Sequence, residues 1–365
     1  MYRVAIIGHT GRGDYGHGID TVWQKLPKVE VVGVSDPDPK GLEAAIKRSK
    51  APKGFADYRQ MLDETKPQIV AIGPRHIDQH RDFVVAAAER GCHIYMEKPL
   101  CRTPREADEM VAACEKHKVK LAIAMQTRYS PKLQVVRDLI ADGKLGTILE
   151  CRGRGKEDAR GGGEDLWVLG THIFNLIDHL VGNPKWCFAQ VEQAGRPIGP
   201  SDIGPAKEGI GVLAGDYVAA MYGLDSGATA YFNSRRSMGG TPSRFALQIF
   251  GSKGQLEILT GHLPAWSFLA DPAWSPGRSK AQWQPISSAG VGVPEPLKEG
   301  GLDAGNVLAC MDLIDAIEDD RQPEANIYEG RTTVEMITAV FASAKAKGPV
   351  TMPLADRESP LASWK

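Results

Sequence analysis

Over the first 125 residues the apolar positions fall into short unbroken runs, each followed by a stretch where they recur at helical spacing. The runs are "RVAIIG" (3–8), "VEVVGVSD" (29–36), "PQIVAIGP" (67–74), "HIYMEKP" (93–99) and "KLAIAM" (120–125). Between them lie amphipathic segments such as "GLEAAIKRSK", "HRDFVVAAAERG", closed by Gly91 as a C-cap, and "READEMVAACEKH". Strands that are apolar on both faces, alternating with helices, predict a doubly wound parallel sheet. The stretch after the first run and its glycines is also read as a helix.

Beyond about residue 125 the pattern changes. "TILECRGRGKE" reads as a strand, and "GLDSGATAYFNSRRS" and "RFALQIFGSKGQLEIL" read as antiparallel strands turning at Ser226-Gly227 and Lys253-Gly254. A Pro/Gly/Trp-rich stretch from about Gly261 to Gly301, with Trp266, Trp274 and Trp283, is too aromatic for a disordered linker and is read as an ordered cover. Helical periodicity returns over 305–319 and 330–347. The expected boundaries are a nucleotide-binding domain over 1–125 and a second domain over 126–365.

Composition narrows the function classes. A chain of 365 residues exceeds what one core usually serves. With 44 basic and 45 acidic residues the formal charge is −1, which gives no electrostatic reason to expect nucleic acid or an anionic membrane as partner. The near-neutral balance does little to oppose self-association. No stretch reaches the roughly 20 apolar residues of a membrane span, and the N-terminus lacks a secretory pattern, so a cytoplasmic protein is expected. The six cysteines form no C-x-x-C pair and are expected to be reduced and structural; no metal site is expected.

The chemistry begins with Gly8, Gly11, Gly13, Gly16 and Gly18. A dinucleotide turn needs its first glycine directly after the strand, which selects Gly8 and places Thr10 and Gly13 at the second and third positions. The G-x-G-x-x-G at 11, 13 and 16 starts three residues too late. Gly8, Thr10, Gly11, Arg12 and Gly13 are thus the candidate cofactor turn, with the Thr10 Cβ crowding a pyrophosphate and its hydroxyl offering a hydrogen bond. Asp36 ends the second run where an acidic residue binds adenosine ribose hydroxyls; its charge favours NAD over NADP. Glu97 and Lys98 lie in "MEKP" at the end of the fourth predicted strand, at the sheet edge where ligands bind in open α/β folds.

Here the chain resembles the glucose–fructose oxidoreductase/inositol dehydrogenase/rhizopine-catabolism (Gfo/Idh/MocA) family. The resemblance rests on "MEKP", "VAIGPRHIDQH" with Pro74 and His80, "QTRYSP", "KLGTI", "IFGSKGQLEI" and the closing "IYEGRTTVEMITAVFASAKAKGPVTMPL". It implies an N-terminal Rossmann domain and a C-terminal α/β domain with a large, mostly antiparallel open sheet used for a homodimer or homotetramer. It also implies that Pro74, His80, Glu97 and Lys98 border the cofactor and that Lys98 adjoins the nicotinamide and the reacting hydroxyl. Beside a cationic ring the pKa of Lys98 should fall, so the neutral amine can take the hydroxyl proton.

A second motif lies in "GGGEDLWVLGTHIFNLIDHLVG". A helix from about Leu166 carries an apolar stripe, and His172, Asn175 and His179 share another face. By the family pattern D-x-G-x-H, His172 shares the substrate proton, and His179 is structural. The pattern's aspartate is Val168 here, which carries no proton. Glu164 and Asp165, or Glu157 and Asp158, are the nearby carboxylates that can substitute. Arg128, Tyr129, Glu164, Asp165, Arg235, the neighbouring Arg236 and the tryptophan-rich loop are candidate substrate contacts. The expected function is NAD-dependent oxidation or reduction of a sugar, cyclitol or glycoside hydroxyl. Two alternatives are a redox-neutral glycosidase or lyase with retained NAD, favoured by the altered proton relay, and a non-catalytic NAD-binding regulator.

Overall fold

The computed structural model describes residues 1–273 and 276–364; Trp274 lies outside them. The chain forms two compact units. One comprises Met1–Tyr129, Ala206–Gly211 and Gly301–Val334, and the other Ser130–Pro205, Val212–Gly300 and Glu335–Lys365.

The first unit holds six parallel strands: β1 (Tyr2–Ile7), β2 (Val29–Ser35), β3 (Gly54–Phe55), β4 (Ile69–Ile72), β5 (His93–Met96) and β6 (Leu121–Ile123). Their order is 3-2-1-4-5-6, the Rossmann arrangement. Val4 to Ile7, all of β4, and Ile94 to Met96 are buried, as strands covered on both faces must be. Helices α1 (Pro39–Ser49), α2 (Tyr58–Thr65), α3 (His80–Ala88) and α4 (Pro104–His117) supply the cover. α1 and α4 each begin with proline after a capping side chain, Asp38 on the Gly41 amide at 2.6 Å and Thr103 on the Glu106 amide at 3.2 Å.

No α-helix follows β1, contrary to the helix read from the sequence. Residues 8–21 form successive turns, and only a short 3₁₀ turn, Val22–Lys25, follows them. The cause is local. Gly11, Gly13, Asp14, Gly16 and Gly18 all have φ between 53° and 86°, a left-handed geometry that a right-handed helix cannot incorporate.

The second unit is built on an eleven-stranded sheet. β7 (Ile148–Arg154) pairs in parallel with Thr229–Arg235, and the other strand pairs of this sheet are antiparallel. The strand Thr229–Arg235 alternates as its sequence predicts: Ala230, Phe232 and Ser234 point inward, while Tyr231 and Arg235 are exposed. The inner face carries the helix Thr171–Leu180. Phe174 packs there 4.7 Å from the Phe232 ring and 5.7 Å from that of Tyr222. A Cβ on Gly153 would overlap the Ile173 side chain, so β7 needs glycine where this helix crosses it. Instead of one continuous helix from Leu166, a π-helical turn, Leu166–Gly170, precedes the α-helix. Asn175, read as part of a polar face, is buried.

Candidate functional site

In the first unit the chemistry gathers at the carboxyl ends of β1, β2, β4 and β5. Gly8 extends β1 by donating its amide to Ser35 at 2.8 Å. The chain then turns across the sheet edge, and the glycines mark where it packs. A Cβ on Gly8 would strike the Tyr15 ring, one on Gly13 the backbone of Arg75, and one on Gly16 the side chain of Glu97. Arg12 leaves this turn to pair with Asp78.

Asp36 is fully buried and fully partnered. Its Oδ2 accepts from the Thr10 hydroxyl at 2.7 Å, the Tyr15 hydroxyl at 2.8 Å and the Thr10 amide at 3.0 Å. Its Oδ1 accepts from the Asp38 amide at 2.9 Å and the Thr10 amide at 3.1 Å. Burial and then the bond to Asp36 push the Tyr15 phenol far above its ordinary pKa, so it stays a donor.

Glu97 is the second buried carboxylate. Its Oε1 accepts from the His17 amide at 2.9 Å and lies 2.6 Å from His17 Nδ1, while Oε2 accepts from the Lys98 amide at 3.1 Å. Burial raises the Glu97 pKa, but the hydrogen bonds and charge of His17, with the charge of Lys98, outweigh it and hold the carboxyl below its usual value. Lys98 follows directly, 8% exposed. His80 is wholly buried: Nε2 lies 2.7 Å from the Pro74 carbonyl and Nδ1 2.9 Å from that of Pro99. It therefore ties the loop after β4 to the loop after β5, and its ring has no free edge for a cofactor. Asn306 adds a brace, accepting from the Tyr95 hydroxyl at 2.8 Å and donating to the His17 carbonyl at 2.8 Å.

Arg128 and Tyr129 were expected to touch substrate, but the structure commits them elsewhere. Arg128 is buried and pairs with Glu324 and Glu329 at 3.0 Å each. The Tyr129 hydroxyl accepts the Ala325 amide at 3.3 Å. Both fasten Gln126–Tyr129 to the chain around residues 324–329.

In the second unit His172 lies half-buried in the first turn of its helix, its ring centroid 6.4 Å from that of Phe245. Val168 is buried within the π-helical turn before it. Asp165 is fully buried. Its Oδ2 accepts from the Ser234 hydroxyl at 2.5 Å and the Glu157 amide at 3.1 Å, and a Cβ on Gly155 would fill its place. Burial raises its pKa. Glu157 accepts the Arg235 amide at 3.0 Å and pairs with Arg244 at 2.7 Å. Asp165 and Glu157 thus anchor the segment leading into the His172 helix. Glu164 is half-buried. Asp158 is held at about 2 by its Arg160 hydrogen bond. Arg235 is exposed, its guanidinium 4.5 Å from the Tyr217 ring centroid. His179 accepts from Arg137 at 3.1 Å, a structural contact.

Sequence reasoning missed Tyr15, His17, Asn306 and Ser234 as partners of these groups. The only local signal was the placing of Tyr15 and His17 between glycines.

A 3-2-1-4-5-6 parallel sheet with an acid closing β2 and a Glu-Lys pair closing β5 defines a Rossmann-type dehydrogenase domain. Residues 2–125 match the family model described as an oxidoreductase family, NAD-binding Rossmann fold, and residues 133–257 match the GFO/IDH/MocA C-terminal domain; the chain belongs to this family. It is an oxidoreductase whose first domain is the family's NAD-binding fold.

Levoglucosan dehydrogenase of Pseudarthrobacter phenanthrenivorans is 24% identical over 359 residues, covering 90% of each chain. D-glucoside 3-dehydrogenase of Escherichia coli is 27% identical over 196 residues, 50% of this chain and 54% of that protein. Among solved structures, levoglucosan dehydrogenase in complex with NADH superposes with a TM-score of 0.78 at 20% identity, covering 97% of this chain and 99% of the other. Among the described residues no helix is long and apolar enough to cross a membrane.

The Asp36 acceptor at the sheet edge fits the NAD ribose in chemistry. A carboxylate that accepts two side-chain hydroxyls accepts two ribose hydroxyls equally well.

Glu97→Gln puts an amide NH₂ against donors that now meet an acceptor, and should cost about 1.5–3 kcal/mol of stability at pH 7. Because Glu97 is held below its ordinary value, its contribution is complete above the unfolded-state carboxyl pKa. It is lost as pH falls through the lower folded-state value. The gap between wild type and variant in denaturant unfolding should therefore close in acid; a gap constant from pH 7 to pH 3 would contradict this role.

Proposed function

We propose that the protein is an NAD-dependent dehydrogenase of a sugar, cyclitol or glycoside hydroxyl. The observation that carries this reading is the Glu97-Lys98 pair at the carboxyl end of β5, in a chain of this family. The substrate class is supported by the names of its relatives, levoglucosan dehydrogenase and D-glucoside 3-dehydrogenase.

Asp36 and the turn Gly8–Gly13 would hold NAD, which when bound supplies the hydride acceptor. Lys98 takes the hydroxyl proton as the alcohol becomes a carbonyl. Its backbone is fixed by Glu97 through the 3.1 Å amide bond. His172 shares that proton. No carboxylate serves His172 from position 168, where the side chain is a buried valine. That replacement favours a second reading, in which NAD is retained and transient oxidation drives glycoside cleavage without net redox.

A carbohydrate panel separates the two: NADH appearing with turnover supports the first, and cleavage without NADH release supports the second. In either case Lys98→Met should lower kcat at least 100-fold while NADH binding stays within a few-fold of wild type. Unchanged kcat would refute the role of Lys98.

We further propose self-association through the outer face of the large sheet, where Phe188 and Tyr231 are 45% and 39% exposed. Light scattering should give a dimer or tetramer that Phe188→Glu dissociates; a wild-type monomer would refute it.

A further inference from the structure

The loop between β1 and the 3₁₀ turn lies where a dinucleotide would run. It meets Asp36 at the end of β2, Gly73 at the end of β4 and Glu97 at the end of β5. We propose that Thr10 and Tyr15 plug the ribose subsite from within this loop, their hydroxyls standing in on Asp36 for the two hydroxyls of adenosine ribose, while the backbone of the turn Gly8–Gly13 stays in place to hold NAD. The proposal rests on the reading that NAD is taken at this sheet edge.

The argument starts from counting acceptors. A carboxylate offers about four lone-pair positions. On Asp36 these are taken by the Thr10 amide, the Asp38 amide and the two side-chain hydroxyls, and none of its surface reaches solvent. Two ribose hydroxyls can be accepted only if two donors leave. The amides belong to the backbone of the turn after β1 and of the end of β2, whereas the hydroxyls sit on side chains that can rotate away. The exchange replaces O–H donors by O–H donors, so Asp36 is satisfied before and after, and burial of its charge is never left uncompensated.

Several contacts hold the plug in place. The Tyr15 ring lies on Gly8, where any side chain would collide with it, and the Arg48 guanidinium lies over the ring, 4.6 Å from its centroid. Arg48 is itself paired with the buried Asp20. Thr10 sits against Gly41 at the start of α1, another position where a Cβ would collide. At the far end His17 is bound to Glu97, so the loop is pinned at both carboxylates. Tyr15 is consequently a residue that sets cofactor affinity without being needed for the chemistry. Only the fraction of molecules with these two hydroxyls turned off Asp36 takes the ribose, and apparent affinity is reduced by that fraction.

Equilibrium titration with NADH tests this in the full-length protein. Tyr15→Phe keeps the ring and removes the competing donor, leaving Asp36 short of a partner until ribose arrives. It should tighten NADH binding about 10-fold or more. Thr10→Val should act in the same direction. It serves as the second variant should Tyr15→Phe fold poorly. In stopped-flow mixing, the wild-type binding rate should level off with NADH concentration at a ceiling that Tyr15→Phe raises. Equal or weaker NADH binding by both variants, with that ceiling unmoved, overturns the plug while leaving NAD as the cofactor. Absence of NADH binding by wild type and variants alike overturns the cofactor reading, and the plug with it.

Discussion

Two carboxylates buried at one edge of a parallel sheet must be given hydrogen-bond donors, and most of the first unit's irregular structure follows from that need. Leaving either charge unpaired out of water would cost several kcal/mol, comparable to much of a domain's net stability. Asp36 draws Thr10 and Tyr15 onto itself, and Glu97 draws His17. With both ends of the stretch committed, the chain between them must turn sharply and lie flat on the strand ends. The glycines at 8, 13 and 16 are the positions where it touches the rest of the unit too closely for a side chain. The left-handed glycines that exclude a helix after β1 are what allow the chain to take this path.

The second unit applies the same rule to a different end. Asp165 and Glu157 are buried carboxylates whose partners are Ser234, the Arg235 amide and Arg244. Their bonds fix residues 155–165 to the strand Thr229–Arg235, and the π-helical turn then delivers His172 to the first turn of its helix. Two of the carboxylates that could have served His172 thus hold the framework, and the side chain at position 168 is a buried valine. Lys98 has a parallel support in its own unit, its amide bound by Glu97 and its loop tied down by His80.

Much of this was legible in the sequence because it is periodic. Apolar runs such as Ile69–Ile72 can only be strands covered on both faces, and the Glu97-Lys98 pair falls at a strand end by simple counting. The alternation in Thr229–Arg235 and the capped starts of α1 and α4 are equally local. What escaped depends on pairings between distant residues. Tyr15 meets Asp36 across 21 positions, His17 meets Glu97 across 80, and Arg128 meets Glu324 across 196. No window of sequence contains both members of such a pair. Arg128 and Tyr129 look like ligand-binding side chains by type, and only their burial beside Glu324, Glu329 and Ala325 shows them to be fasteners. Glycine content was visible throughout. Its meaning, a loop packed on strand ends rather than a helix entry, lies in the left-handed backbone at 11, 13, 14, 16 and 18.

The most direct test is a pair of crystal structures, one free of nucleotide and one with NADH. The account predicts that Tyr15 Oη lies within hydrogen-bond distance of Asp36 in the first, and that ribose hydroxyls replace it there in the second. A complex in which NADH is bound while Tyr15 and Thr10 both remain on Asp36 would contradict it.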